Sequence, residues 1–377
     1  MLISLSLSTE LAIAAQNSQS WALKLTVPSE SFVAMVDLLQ VLLDLLFVNR
    51  QLNDSGLELE VRPPGAPASK ALRREGLRLA ALFETIASPY AFHAEIVSAS
   101  RPVVPCSPMF DGHAVRFATV PLATGPRLHC AEQGDPRGEA VVFLHGWPDS
   151  WFSFSRVLPL LPEHLRALAI DQRGFGDSDR PESGYAIPEL AADVVAFLDA
   201  LDIERATLVG HSFGSFVARR VAIAQPGRIA RLVLIGTGFT ASNPITRELQ
   251  AAMRELPHPM PVEFARDFQA STAYRPLPLE FFERIVAESL KLPPRLWRLA
   301  FDRLLEYDDA EQLARITAPT LLLWGDRDAL FSRTDQDRFI AALPRANLTV
   351  YEETGHCPNW ERPEQVAGDI GAFVRKT

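Results

Sequence analysis

The chain has 377 residues, 47% of them hydrophobic and 22% charged, enough apolar content to bury a large core and to exclude a wholly disordered chain. Its formal net charge of −9 runs against nucleic-acid binding, which needs a basic patch. Three cysteines, Cys106, Cys130 and Cys357, are too few and too scattered for a disulfide framework or a zinc site, and neither a metal nor an organic cofactor is expected.

The chain opens on an apolar stretch, Met1 to Ala15, that ends in an Ala-x-Ala pattern at Ala12 and Ala14. It has no basic start and carries Glu10, so it does not read as a secretory signal, and a cytoplasmic location is the default. Ser31 to Arg50 reads as a helix. Its most apolar part, Phe32 to Val48, is interrupted by Asp37, Gln40 and Asp44. These fall at i, i+3 and i+7 and share one helical face, so the segment packs on protein and does not span a membrane. A breaker cluster, Arg62 to Pro67, separates it from a second helical pattern at Ser69 to Ser88. No sheet pairing is expected in this part.

The sequence changes character near residue 110. Residues 1–110 are expected to form an N-terminal extension, partly helical and of unknown function, and residues 111–377 the main domain. A chain that starts at Met109 is therefore expected to fold and keep its activity, judged by solubility, melting temperature and kcat/KM. The apolar face of Ser31 to Arg50 weighs against this, because a large bare apolar face marks an interaction site; an insoluble or inactive short chain would show the extension to be integral.

From Ala114 onward strands and helices alternate. Ala114 to Val120 and Arg127 to Ala131 read as half-exposed strands. Ala140 to Leu144 is a short apolar run, as a strand buried on both faces should be, and leads into His145-Gly146-Trp147-Pro148. A helix is expected over Trp151 to Leu161, a strand over Arg166 to Ile170, and a helix over Pro188 to Leu201. Ala206 to Val209 reads as a strand, Phe213 to Ala224 as a helix and Arg231 to Ile235 as a strand. An aromatic-rich helical lid follows at about 240–316. Thr320 to Trp324 (strand), Thr334 to Leu343 (helix), Leu348 to Tyr351 (strand) and Pro363 to Val374 (helix) close the chain. Such alternation implies a mostly parallel sheet with helices on both faces, an α/β class.

Gly210-His211-Ser212-Phe213-Gly214 sits between a strand and a helix, the context that a G-x-S-x-G nucleophile elbow requires. The tight turn would lift Ser212 above the sheet edge, at a helix N-terminus whose free N–H groups favour developing negative charge. The plainer alternative is a serine that merely caps the helix. A serine hydroxyl needs a base, and His356, just past the last strand, is the histidine placed to reach it. The base needs a carboxylate. Asp326 and Asp328 both follow the strand ending at Trp324; Asp328 lies further out along the loop and is preferred, with Asp326 expected to cap the turn. The order Ser212, Asp328, His356 is the one found in this class of hydrolase. An oxyanion needs fixed donors, expected from the backbone N–H groups of Phe213 and Trp147.

With these motifs, residues 114–377 resemble the α/β-hydrolase superfamily. The resemblance rests on Phe143 to Pro148, Asp171 to Ser178, the serine elbow, Trp324 to Asp328 and Gly355-His356. It implies that Asp171, Arg173 and Glu361 brace loops. The His-Gly-Trp-Pro-Asp turn resembles epoxide hydrolases and haloalkane dehalogenases, which use an aspartate nucleophile; Ser212 in that place disfavours both activities. The serine version resembles carboxylesterases, cofactor-free haloperoxidases or perhydrolases, and carbon–carbon bond hydrolases.

The expected function is therefore a serine hydrolase that cleaves a small apolar carboxylic ester or related acyl compound through an acyl-enzyme. The lid aromatics Phe264, Phe268, Tyr274, Phe281, Phe282, Trp297 and Phe301 are expected to supply an apolar pocket or to hold the lid together. A haloperoxidase/perhydrolase or carbon–carbon hydrolase with the same triad is the nearest alternative. A ligand-binding receptor on a hydrolase scaffold is the alternative of another class; failure to turn over a panel of p-nitrophenyl esters would favour it. The natural substrate and the oligomeric state are not legible in the sequence.

Overall fold

The computed structural model describes residues 10–15, 21–26, 58–61, 109–110, 113–256 and 260–375. The chain divides into Met1–Pro102 and Val103–Thr377. In the first unit, β1 (Glu10–Ala15), β2 (Trp21–Thr26) and β3 (Glu58–Val61) form a three-stranded sheet, antiparallel between β1 and β2 and parallel between β2 and β3. The expectation of no sheet pairing here is overturned. Leu11 to Ala15 of β1 read as a plain apolar run, and none of the three strands signals its partner locally. The two helices expected at Ser31 to Arg50 and Ser69 to Ser88 lie outside the described residues.

In the second unit a small ladder of β4 (Met109–Phe110) and β5 (His113–Ala114) precedes the main sheet. That sheet comprises β6 (Arg116–Pro121), β7 (Arg127–Gly134), β8 (Glu139–Leu144), β9 (Leu165–Ile170), β10 (Ala206–His211), β11 (Ile229–Ile235), β12 (Thr320–Gly325) and β13 (Ala346–Tyr351). Their spatial order is β13-β12-β11-β10-β8-β9-β7-β6. The ladders from β9 through β8 to β13 are parallel, and β7 runs antiparallel to both β6 and β9. The central strands are apolar because helices cover both faces: every residue of β10 and β12 is buried.

One face packs α1 (Ile187–Ala200) and α2 (Phe213–Ala224) through Val194, Phe197, Phe216 and Val217. The other carries Phe154, Trp360 and Ile370 against Phe143 and Leu323. The helix expected over Trp151 to Leu161 is instead two 3-10 turns, Trp151–Phe154 and Leu158–Leu160. Pro159 cannot donate a helical hydrogen bond, which interrupts the segment; the Trp151 amide, at a first position with no intrahelical acceptor, donates to the Asp171 carboxylate at 2.6 Å. The lid between β11 and β12 is four helices, α3 (Pro244–Arg254), α4 (Val262–Thr272), α5 (Leu279–Leu290) and α6 (Pro294–Leu305), followed by a 3-10 segment, Ala310–Arg315.

The topology places a crevice. After β8 the chain goes to β9 on one side, and then to β10 on the other side of β8. Loops leaving the C-terminal ends of β8 and β10 therefore diverge, and such a switch point is where open α/β sheets bind ligands. Those two loops hold His145 to Trp147 and Ser212. Among the described residues no helix is long and apolar enough to cross a membrane.

Candidate active site

Ser212 stands between β10 and α2 with φ +47° and ψ −118°. A non-glycine residue in that region costs on the order of 1–3 kcal/mol and persists where its surroundings impose it. Here they do. The Ser212 amide donates to Ile235 O at 2.9 Å, its carbonyl accepts from the Ser215 amide at 2.8 Å, and methyl groups at Gly210 or Gly214 would collide with neighbouring backbone. An ordinary N-cap serine is extended and its oxygen accepts a helix amide. Ser212 does neither, so the turn spends strain without gaining a cap, and the serine is aimed elsewhere.

The structure brings His356 and Asp328 together. His356 Nδ1 lies 3.0 Å from Asp328 Oδ2, with both side chains buried. Asp328 Oδ1 accepts the Leu330 and Phe331 amides at 2.8 and 3.0 Å, which fixes the carboxylate and leaves Oδ2 for the histidine. His356 Nε2 is buried and has no hydrogen-bond partner among the described residues. Asp326 is elsewhere: its side chain is 30% exposed and accepts the Thr354 amide at 3.4 Å.

The loop that carries His356 is braced from several sides. Its amide donates to Thr272 O of α4 at 2.8 Å, and its carbonyl faces His211 Nε2 at 3.2 Å. Glu361 accepts the amides of Gly355, Tyr274 and Arg275 at 2.8, 3.1 and 2.8 Å, which ties this loop to the lid. Asp171 accepts the Trp151 and Asp177 amides, and Arg173 forms two hydrogen bonds of 2.7 Å with Asp193.

Gly236, at φ +51°, is the floor under the histidine: an added Cβ would lie 2.5 Å from His356 O and 3.1 Å from ring atoms Cε1 and Nδ1. Gly236→Ala is therefore expected to push the ring off its seat and lower kcat/KM for an ester by about 10²-fold, the scale set by a displacement of about 1 Å. Steady-state kinetics alongside a thermal melt check this; unchanged kinetics would mean that the ring position is not set from below.

Ser212 and His356 line one pocket with Trp147, Asp149, His211, Thr246, Leu249, Phe268, Gln269, Thr272, Phe301, Leu304, Leu330, Phe331, Cys357 and Trp360. Its cavity volume is about 30 Å³, room for roughly two waters. A larger cavity of about 290 Å³, lined by Arg116, Gln133, Leu158 and Leu165 among others, lies at the start of β9, the far end of the sheet from Ser212. It holds none of the groups above. Phe213, fully buried, is the first residue of α2, so its amide has no intrahelical acceptor. Trp147 follows β8; its indole donates to Trp297 O at 3.1 Å and packs on Phe301 at 4.5 Å. Neither the Trp147 nor the Phe213 amide donates to a backbone carbonyl among the described residues.

Burial sets the charge states around the pocket. It holds the His211 imidazole well below the ordinary range, with His356 adding to the effect. It pushes the Asp149 carboxyl up to about 7, against the hydrogen bonds from Gln269 and Ser153, and raises the Cys357 thiol. Of the lid aromatics, Phe268 and Phe301 reach the pocket. Phe281 packs on Trp360, and Tyr274 is exposed. The sequence did not single out Asp149, Gln269, Phe331 or Trp360 as pocket residues. Only Asp149 had a signal, its place at the end of the His-Gly-Trp-Pro-Asp turn.

Comparison with known proteins bears on this geometry. The family model described as alpha/beta hydrolase fold matches residues 139–363. The chain is 31% identical over 285 residues to the non-heme chloroperoxidase of Streptomyces lividans, covering 69% of this chain and 100% of that protein. It is 31% identical over 275 residues to the 2-hydroxy-6-oxononadienedioate/2-hydroxy-6-oxononatrienedioate hydrolase of Cupriavidus pinatubonensis, covering 65% and 90%. Among solved structures it is similar to a hydrolase from Pseudomonas aeruginosa at a TM-score of 0.62 and 26% identity, over 69% of this chain and 98% of that one.

Proposed function

The chain belongs to the α/β-hydrolase fold family, and from that premise we propose that it is a serine hydrolase of small carboxylic esters or related acyl compounds. One observation carries the reading. His356 is held by Asp328 through Nδ1 at 3.0 Å, its buried Nε2 has no partner among the described residues, and it lines the same pocket as Ser212.

With Nδ1–H donated to the carboxylate, Nε2 carries the lone pair. It takes the Ser212 proton as Oγ attacks the acyl carbon. The Trp147 and Phe213 amides donate to the oxyanion, a contribution worth about 3 kcal/mol or more per donor. The imidazolium, stabilised by Asp328, then protonates the leaving alkoxide. Water deprotonated by the same nitrogen attacks the acyl-enzyme and releases the acid. The apolar walls from Phe268, Phe301, Leu304 and Phe331 suit a neutral acyl group, and the small cavity restricts it to a short one unless the lid helices part.

A fluorophosphonate probe is expected to label the protein on the peptide that contains Ser212, with turnover of p-nitrophenyl acetate or butyrate. No labelling and no turnover, with tight binding of an unreacted ligand, would favour the receptor reading. The likeness to a chloroperoxidase favours one further reading: hydrogen peroxide in place of water converts the acyl-enzyme to a peracid. Acetate-dependent halogenation is the readout, and its absence at every acetate concentration removes that activity.

A further inference from the structure

Among the described residues, three buried carboxylates have arginine or lysine partners. Asp193 lies 2.7 Å from Arg173, Asp309 lies 2.5 Å from Arg219, and Glu288 is paired with Arg284 at 2.8 Å and Lys291 at 3.0 Å. This is the expected arrangement, because an unpaired buried charge is costly. Two more, Asp171 and Asp328, are held by His129 and His356; Asp149 has neither a cation nor a histidine bonded to it. It is 3% exposed and receives only neutral donors, Gln269 Nε2 on Oδ1 at 2.8 Å and the Ser153 hydroxyl on Oδ2 at 3.3 Å. No arginine or lysine lines its pocket among the described residues.

The donors are held for this purpose. Ser153 Oγ accepts the Trp360 indole at 2.8 Å and the Asn359 amide at 3.3 Å, so its one proton is left for Asp149. Gln269 uses its other N–H on Ser289 at 2.7 Å. Two side chains, themselves held by others, thus position a carboxyl group on the wall of the pocket that contains Ser212 and His356. A purely structural tie between turn and lid would be served by an amide, with no ionisable group taken out of water.

Resting on the serine-hydrolase reading above, we propose that Asp149 is a specificity residue that selects substrates by charge, excluding acyl groups that carry a carboxylate and admitting neutral ones. The titratable groups facing Asp149 are His356 and His211 from the sheet edge, Cys357 beside them, and Glu288 from α5. Burial keeps His211 and Cys357 uncharged near neutrality, and Glu288 has its own cations. Asp149 itself titrates at about 7, so its charge grows as pH rises from 6 to 8, and with it the repulsion of an anionic acyl group. Two like charges about 5 Å apart at an effective dielectric constant of about 20 change selectivity by about 10²-fold on full ionisation, so between pH 6 and 8 the rise is limited to about tenfold by the fraction of Asp149 that stays protonated.

The test compares methyl succinamate with its isosteric anion, monomethyl succinate, by methanol release between pH 6 and pH 8. The ratio of the two kcat/KM values cancels the ionisation of the common base. In the wild type the preference for the neutral ester is expected to rise about tenfold across this range. In Asp149→Asn it is expected to be smaller and flat with pH. A flat ratio in the wild type, or the same rising ratio in Asp149→Asn, overturns the proposal. If neither ester turns over, the serine reading fails, and the same pair is read by quenching of tryptophan fluorescence on binding, Trp147 being a wall of the pocket. A flat wild-type ratio overturns the proposal even if the variant is unstable.

Discussion

Ser212→Ala is expected to lower kcat/KM for a short p-nitrophenyl ester by about 10⁴- to 10⁶-fold and to abolish fluorophosphonate labelling. The melting temperature should barely move. The Ser212 hydroxyl caps no amide of α2, so its loss removes no helix-stabilising bond. Alanine keeps the Cβ, so the strain at φ +47° is carried over unchanged. The variant therefore separates the two accounts of this serine. A helix cap would lose stability, about 1 kcal/mol, and keep activity. A nucleophile loses activity and keeps stability. Equal labelling of the two proteins would remove Ser212 from the chemistry, whatever its backbone conformation.

What the sequence showed of the main domain follows from what each signal depends on. Short apolar runs such as Ala140 to Leu144 announce strands buried on both faces, because only such strands can omit the polar alternate residue. The elbow was legible because glycine, serine and glycine at fixed spacing state a local steric requirement. The Trp151 to Leu161 segment misled: its apolar spacing fits a helix, but Pro159 lacks the N–H that a continuous helix needs there, and the segment forms two 3-10 turns.

The parts that stayed hidden depend on partners far away in the chain. Asp149 could be seen as the end of a turn. Its meaning comes from Gln269, 120 residues later, and from Ser153, whose proton is left to it only because Trp360 and Asn359 occupy the oxygen's lone pairs. The lid helices were legible as helices, but the rotation of each about its axis was not. That rotation sends Phe268 and Phe301 to the pocket and Phe281 under Trp360. The choice between Asp326 and Asp328 was likewise open in sequence, both being loop aspartates after one strand.

Asp328→Asn is expected to cost about 10⁴-fold in kcat/KM, and Asp326→Asn about twofold or less. The first figure follows from the way the carboxylate is held. Asp328 Oδ1 accepts two amides, Leu330 N at 2.8 Å and Phe331 N at 3.0 Å. An asparagine there must keep its oxygen on those donors, since turning the side group over would point its NH₂ at two N–H groups. The NH₂ then faces His356 Nδ1 and makes that nitrogen the acceptor. The ring proton moves to Nε2, which can no longer take a proton from Ser212. The side chain is isosteric, so the protein should fold and bind substrate with KM little changed, and the loss should fall on kcat. Asp326 has no such leverage: it is partly exposed and faces the Thr354 amide, and an asparagine oxygen can take over that bond. A large loss from Asp326→Asn together with a small one from Asp328→Asn would reassign the carboxylate and break the order Ser212, Asp328, His356 on which the mechanism rests.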